Sequence, residues 1–367
     1  MPTQTLQTVI DRLVELAPPH LAAAWDNVGL MVGDPGRILT GVAVAVDPTL
    51  AAVDATIAAG ANLLVTHHPL LFKAPKSLDL RKEPGRTLER LIKADVGLYA
   101  AHTNLDVTAV NEALATTLGL KGHRVLDVSG ERPTYKVAVY VPVAELERVR
   151  LAAWEAGAGR SAGYDRGAYA LAATGTFRPR PGANPAEGHV GEQVVTSEAR
   201  LEFVCGQLQL KTVRAAIVAA HPYEEPAIEV FPLHGAGEPY GFGLVGDLPA
   251  PEPLGAFARR VAGTLGTTTA RFVGPADRPI KRVAWMGGSA GDYWPQALAA
   301  GCDAYITGEV RHHAALDGLA AGMAFVEVGH VGSEQPVVPF LVDFLGRALG
   351  GGVPVLAIDQ LDPFTTL

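Results

Sequence analysis

The chain has 367 residues, 48% of them hydrophobic and 19% charged, the profile of a folded globular protein long enough for two domains or for one domain with a large insertion. A formal net charge of -8 and a pI near 5.8 argue against a general nucleic-acid binder, which needs a cationic face to neutralise phosphates, while leaving room for a local basic pocket. With only Cys205 and Cys302 there is no disulfide framework and no thiolate zinc site, so any metal must be held by histidines and carboxylates.

No apolar run has the length of a membrane span, and the N-terminus lacks a basic start and a cleavage site, so the expected location is cytoplasmic. Leu6, Val9, Ile10, Leu13 and Leu16 recur at helical spacing and predict an amphipathic helix over 5–16, stopped by Pro18 and Pro19. Trp25-Asp26-Asn27 reads as a loop packed by Trp25, with Asp26 and Asn27 making backbone turn bonds. A strand over 41–47, a helix over 50–59 and a strand from Leu63 predict a βαβ unit. That second strand, Leu63-Leu64-Val65-Thr66, is apolar without alternation, the pattern of a buried parallel strand, and it ends in His67-His68-Pro69. Parallel sheets place their chemistry beyond the carboxyl ends of strands. Pro69 keeps the exit extended, and neighbouring side chains on extended backbone diverge, which suits two metal ions better than one.

A polar loop over 73–86 and a helix over 87–94 lead to a buried strand over 96–101, which ends in His102-Thr103-Asn104-Leu105-Asp106. A helix over 111–118 closes at Gly119, and a strand-like piece over 125–128 ends near Gly130. Composition changes after Glu131. A strand over 135–141, a helix over 143–156, a Gly-, Ala- and Pro-rich stretch over 157–191, strand pieces over 193–196 and 200–204, a helix over 210–220 and a strand over 228–231 follow. This β-α-β-β-α-β order predicts an inserted ferredoxin-like α+β domain over 131–237. Within it His221-Pro222-Tyr223-Glu224-Glu225-Pro226 reads as a structural turn or an oligomer contact with solvated glutamates.

From 238 the first pattern returns: strands over 241–246, 283–286, 304–309 and 324–328, with helices between them. The last helix is predicted to start near Ser333 and Glu334, and a final strand to cover 353–358. The expected fold class is α/β, with two similar layers over 1–130 and 238–367 that face each other around one cleft of polar strand ends.

His67, His68, Asp106, His330 and Glu334 all lie at or just after predicted strand ends. Three imidazoles and two carboxylates suit Zn, Fe, Mn or Mg, and the usual form of such a set is two ions bridged by a carboxylate and a water. On spacing alone His67 and His68 could equally cap a strand and bond to backbone. Glu309 and His312, three apart at a predicted helix start, could act as general base and proton shuttle, could orient ligands, or could cap the helix. His102 is either an orienting group or a satisfied rim histidine. The turn over 287–291 (GGSAG) could offer N–H groups to a phosphate, but it lacks a full phosphate-loop pattern and reads first as a tight turn.

WDNVGL at 25–30, THHPL at 66–70, AHTNLD at 101–106, DAYITGE at 303–309 with His312, and Gly329-His330 followed by Ser333-Glu334 resemble the GTP cyclohydrolase 1 type 2 homologue family of toroidal, dinuclear-metal proteins. HPYEEPA at 221–227 resembles the inserted domain of its longer bacterial members, similar in fold to PII-like and copper-tolerance proteins. The resemblance implies a homohexamer, a trimer of dimers around a central cavity, with two divalent ions per subunit. It implies His67, His68, Asp106, His330 and Glu334 as the ligands, Glu334 bridging both ions. The implied activity is opening of the GTP imidazole ring by a metal-activated water, with Glu309 or His312 moving protons and Asp26 or Glu309 as guanine-reading candidates. The alternative is a non-catalytic metal-binding or regulatory toroid.

Overall fold

The computed structural model describes residues 3–161, 163–360 and 362–364. The chain divides into two compact units, one of residues 1–128 and 241–367, the other of residues 129–240.

In the first unit, one sheet has the strand order Gly29–Val32, Gly97–Ala100, Leu63–Thr66, Val42–Ala45, Val355–Ala357. All neighbours are parallel except Gly29–Val32, which is an antiparallel edge. Val42, Val44, Leu63, Val65 and Tyr99 pack on one face against helices Leu6–Leu16 and Val337–Ala348. On the other face Ala43, Ala45, Leu64 and Leu98 meet helices Leu50–Ala58 and Gly85–Ala94. Both faces are covered, which is why these strands are continuous apolar runs without alternation.

The second sheet of this unit runs Ile228–Pro253, Pro279–Met286, Ala304–Thr307, Ala324–Glu327, Arg271–Val273, with the middle three strands parallel. Both its faces are likewise buried, Val283, Trp285, Ile306 and Val326 entering one core and Met286, Tyr305 and Phe325 the other. The two sequence halves exchange elements. Helix Asn111–Leu118 places Leu114, Ala115 and Leu118 in the core of the second sheet, whereas helix Val337–Ala348 and strand Val355–Ala357 complete the first.

The second unit has strand order Tyr169–Phe177, Val194–Gly206, Lys121–Pro142, Ile228–Pro253, with Val137, Val139, Leu201 and Phe203 packed against helices Leu146–Glu155 and Leu210–Ala220. Several expected breaks are corrected here. The strand pieces over 193–196 and 200–204 are one strand, Val194–Gly206, and the Gly-rich stretch holds an unforeseen strand, Tyr169–Phe177. That edge strand is largely exposed, so it carries no hydrophobic period to read. The stops near Gly130 and after Phe231 are absent, because Lys121–Pro142 and Ile228–Pro253 continue as strands through those points.

Candidate metal centre

His67 directly follows strand Leu63–Thr66 and is 0% exposed. Its Nδ1–H donates to the carbonyl of Ala101 at 3.0 Å, so Nε2 presents a lone pair. That Nε2 is buried without a hydrogen-bond partner, 3.6 Å from Asp106 Oδ1 and 3.6 Å from Glu334 Oε1. His68 is oriented the same way: Nδ1 lies 2.8 Å from Asp47 Oδ1, and Nε2 lies 3.1 Å from Glu334 Oε2. His330 repeats the arrangement, with Nδ1 2.8 Å from Glu309 Oε1 and Nε2 3.4 Å from Glu334 Oε2 and 3.3 Å from His68 Nε2. The structure therefore brings together all five residues singled out in the sequence.

Glu334 stands between two donor sets. Its Oε1 faces His67, beside Asp106, and its Oε2 faces His68 and His330. Around an ion with bonds near 2.1 Å, neighbouring donor atoms stand about 3–3.5 Å apart, so the 3.1–3.4 Å separations around His68 and His330 match the edges of a coordination shell and the 3.6 Å separations around His67 lie just beyond them. Each imidazole has its outer nitrogen held by an acceptor, the arrangement that fixes the tautomer of a metal-ligating histidine. The donor set fits divalent cations.

Electrostatics agree with that fit. Burial opposes charge on His68, yet hydrogen bonds to Asp47 and Glu334 raise it to about 10, and the Glu334 hydrogen bond leads in raising His330 to about 9. Burial works against ionisation of Glu334 too, but His67, His330 and His68 hold it well below the usual carboxylate range. Burial raises Asp106, and the Glu334 charge adds to that. Two carboxylates here need compensating positive charge, which protonated imidazoles or bound cations can supply.

Local backbone explains the convergence. Gly329, at φ +79°, starts the short helix His330–Glu334, which puts both ligand side chains on one face at i and i+4; the helix begins at His330, earlier than the expected start near Ser333. Asp106 opens a π-helical turn, Asp106–Val110, between helices Thr103–Leu105 and Asn111–Leu118. The glycine-rich turn is structural. Gly287 N–H donates to Asn111 Oδ1 and Gly288 N–H to Ser333 Oγ, so these two groups are committed within the protein. Gly288 lies at φ +70°, and a Cβ there would fall 2.5 Å from Glu334 Oε1.

His102 adds a fourth imidazole: ligand atoms of His67, His68 and His102 lie within 4.8 Å of one another. Its Nδ1 is 2.8 Å from Asp26 Oδ1, while Asp26 Oδ2 accepts from Thr103 N and Oγ1. Both oxygens of Asp26 are thus committed, and Asp26 orients His102 rather than waiting for a base. Trp25 does not pack the loop. It is 62% exposed, with its ring 5.6 Å from Phe72 and 6.1 Å from His102.

Glu309 and His312 do not share a helical face. The helix starts at His312, Glu309 precedes it and serves His330, and exposed His312 stands beside the ring of His313. Sequence reasoning missed Asp47 as an orienting group. The signal was present, since Asp47 follows Val42–Ala45, the strand parallel to the one that carries His67 and His68. In the second unit, His221 Nε2–H donates to the Tyr140 carbonyl and Nδ1 accepts from Tyr223 N, so it is a turn-holding residue as expected.

The model of the family described as Duf34/NIF3 (NGG1p interacting factor 3) matches residues 4–363. A Halalkalibacterium halodurans protein named GTP cyclohydrolase 1 type 2 homolog is 37% identical over 326 residues, 88% of each chain. The Mycobacterium tuberculosis protein of the same name is 39% identical over 356 residues, 95% of this chain and 93% of its own. A solved Bacillus cereus structure described as related to NIF3 superposes with a TM-score of 0.77 at 35% identity, covering 100% of both chains.

Proposed function

The chain belongs to the Duf34/NIF3 family, and from that premise we propose that it is a metal-dependent hydrolase built on a dinuclear centre held by His67, His68, Asp106, His330 and Glu334. The observation that carries this reading is the inward-facing donor set, with Glu334 turning one oxygen to each side and Asp47, Glu309 and the Ala101 carbonyl holding the imidazoles. The chemistry that two divalent ions supply when bound is a water acidified for attack and stabilisation of the negative charge that follows. The substrate class is a purine nucleotide, GTP first, opened at the imidazole ring to a formamidopyrimidine and then formate. Two supports stand behind it: relatives carry the name GTP cyclohydrolase 1 type 2 homolog, and the exposed Trp25 and Phe72 rings beside His102 offer a stacking surface for a base. Glu309 would serve the reaction by holding the His330 imidazole in place through its hydrogen bond to Nδ1. The assembly that goes with this reading is a homohexamer, a trimer of dimers.

One observation favours a second reading, a non-catalytic metal-binding or regulatory assembly. Both oxygens of Asp26 are committed, and Glu309 is tied to His330, so neither guanine-reading candidate is free. Elemental analysis of the purified protein, followed by mass spectrometry of GTP incubated with the metal-loaded form, separates the readings. About two ions per chain with formate released supports the cyclohydrolase. Two ions with GTP untouched supports the second reading, and no metal under replete conditions overturns both.

A further inference from the structure

The second unit holds a cavity of about 450 Å³ remote in sequence from every residue of the metal centre. Its lining includes Glu198, Phe177, Tyr223, Gly175, Glu224 and Glu225, and no Lys, Arg or His among the described residues. Glu198 is only 6% exposed although it is a carboxylate. Burying such a group is costly unless something compensates it. Tyr223 hydroxyl donates to Glu198 Oε1 at 2.9 Å, which leaves Oε2.

The floor of the cavity is opened by a glycine. Gly175 sits opposite Thr196 in the antiparallel pair Tyr169–Phe177 and Val194–Gly206. A Cβ on Gly175 would lie 2.7 Å from Glu198 Oε2, so the missing side chain leaves that oxygen open to the cavity. The chemistry uncovered is therefore one carboxylate oxygen flanked by the Phe177 and Tyr223 rings, whose centroids are 6.1 Å apart. Arg200, a cation of the same sheet, is spent on Glu202 and the Tyr140 hydroxyl. Tyr223 stays protonated and donating, because burial and then its hydrogen bond to Glu198 raise it to about 12.

We propose that this cavity is a binding site for a small organic cation, a primary ammonium or guanidinium compound, whose charged head pairs with Glu198 Oε2 while its carbon body lies against Phe177 and Tyr223. A buried carboxylate with aromatic walls is the usual recognition chemistry for such a head group, and the volume falls in the range of small-molecule sites. A metal ion is disfavoured, since among the described residues no three potential ligands gather here, and two backbone contacts from Asn184 already engage Glu224. The inference does not rest on the metal centre.

The test is titration calorimetry on the full chain at physiological salt, with agmatine and spermidine as cationic probes and citrate as the anionic one. Expected is binding of a cationic probe with a dissociation constant below about 1 mM, weakened about tenfold or more in Glu198→Gln and unchanged in Glu155→Gln, which removes the same charge from the exposed end of a helix. Phe177→Ala, at the strand end, supplies a second reading should Glu198→Gln fold poorly, and is expected to weaken binding severalfold. No cation binding at millimolar concentration, equal loss in the two glutamine variants, full affinity in Phe177→Ala, or tighter binding of citrate overturns the proposal.

Discussion

At the scale of single residues, the centre is defined as much by the groups behind the imidazoles as by the imidazoles. Asp47, Glu309 and the Ala101 carbonyl each accept a hydrogen bond from an Nδ1–H and so aim an Nε2 inward. Glu334 has one oxygen toward each donor set, so in the proposed dinuclear centre its loss would remove a ligand from both ions, whereas loss of His68 would remove one. Elemental analysis of Glu334→Ala is expected to find essentially no tightly held metal, and of His68→Ala about one ion per chain or fewer; either variant retaining two ions would defeat the ligand assignment. Asp26 makes a separate prediction. Burial opposes its ionisation, but hydrogen bonds from His102 and Thr103 lower it from 3.8 to about 2. A carboxyl depressed on folding stabilises the protein above its unfolded value and loses that contribution as pH falls through its folded value. The wild type should lose stability on the order of 1 kcal/mol from this group between about pH 4 and pH 2, seen by denaturant titration, and Asp26→Asn should show a flatter acid limb.

At the scale of elements, short turns decide whether the ligands converge. Helix His330–Glu334 has only five residues and is placed by Gly329 and by Ser333, whose Oγ accepts from Gly288 N–H and donates to the His330 carbonyl. Gly288→Ala meets two obstacles, a positive φ that costs about 1–2 kcal/mol for a residue with a side chain and a Cβ within 2.5 Å of Glu334 Oε1. It is expected to lower the melting temperature and the metal content together. Gly346→Ala, in the helix Val337–Ala348 with nothing near its Cβ, is expected to leave metal content intact and to raise stability by about 0.5–1 kcal/mol.

At the scale of the molecule, the candidate donor residues come from strand ends in both sheets of the first unit, so an ion bound as proposed would tie together segments separated by up to 267 residues, from His67 to Glu334. The exchange of helix Asn111–Leu118 and helix Val337–Ala348 between the two cores does the same through packing. Anything that binds the folded state alone stabilises it, by about 2.7 kcal/mol at a hundredfold excess over the dissociation constant. Chelation is therefore expected to lower the melting temperature by several degrees, reversibly on adding metal, and Glu334→Ala should melt at one temperature with or without metal. Equal chelator sensitivity in that variant would show that the ions act elsewhere.

Periodicity and residue type by themselves determined that Leu63–Thr66 and Gly97–Ala100 are buried strands, that His67, His68 and Asp106 stand beyond their ends, and that a metal here has no thiolate to use. These are local properties, because a strand covered on both faces must be apolar throughout and a polar group at its end must find a partner. Which partner it finds is not local. The pairing of Asp47 with His68, Asp26 with His102 and Glu309 with His330 spans 21, 76 and 21 residues of chain. The same limit hid strand Tyr169–Phe177, which is held by its backbone ladder rather than by a buried face, the continuity of Lys121–Pro142 and Ile228–Pro253, and the exchanged helices. Only the tertiary structure decided these, since hydrogen-bond ladders and packing between distant segments leave no period in any local window of sequence.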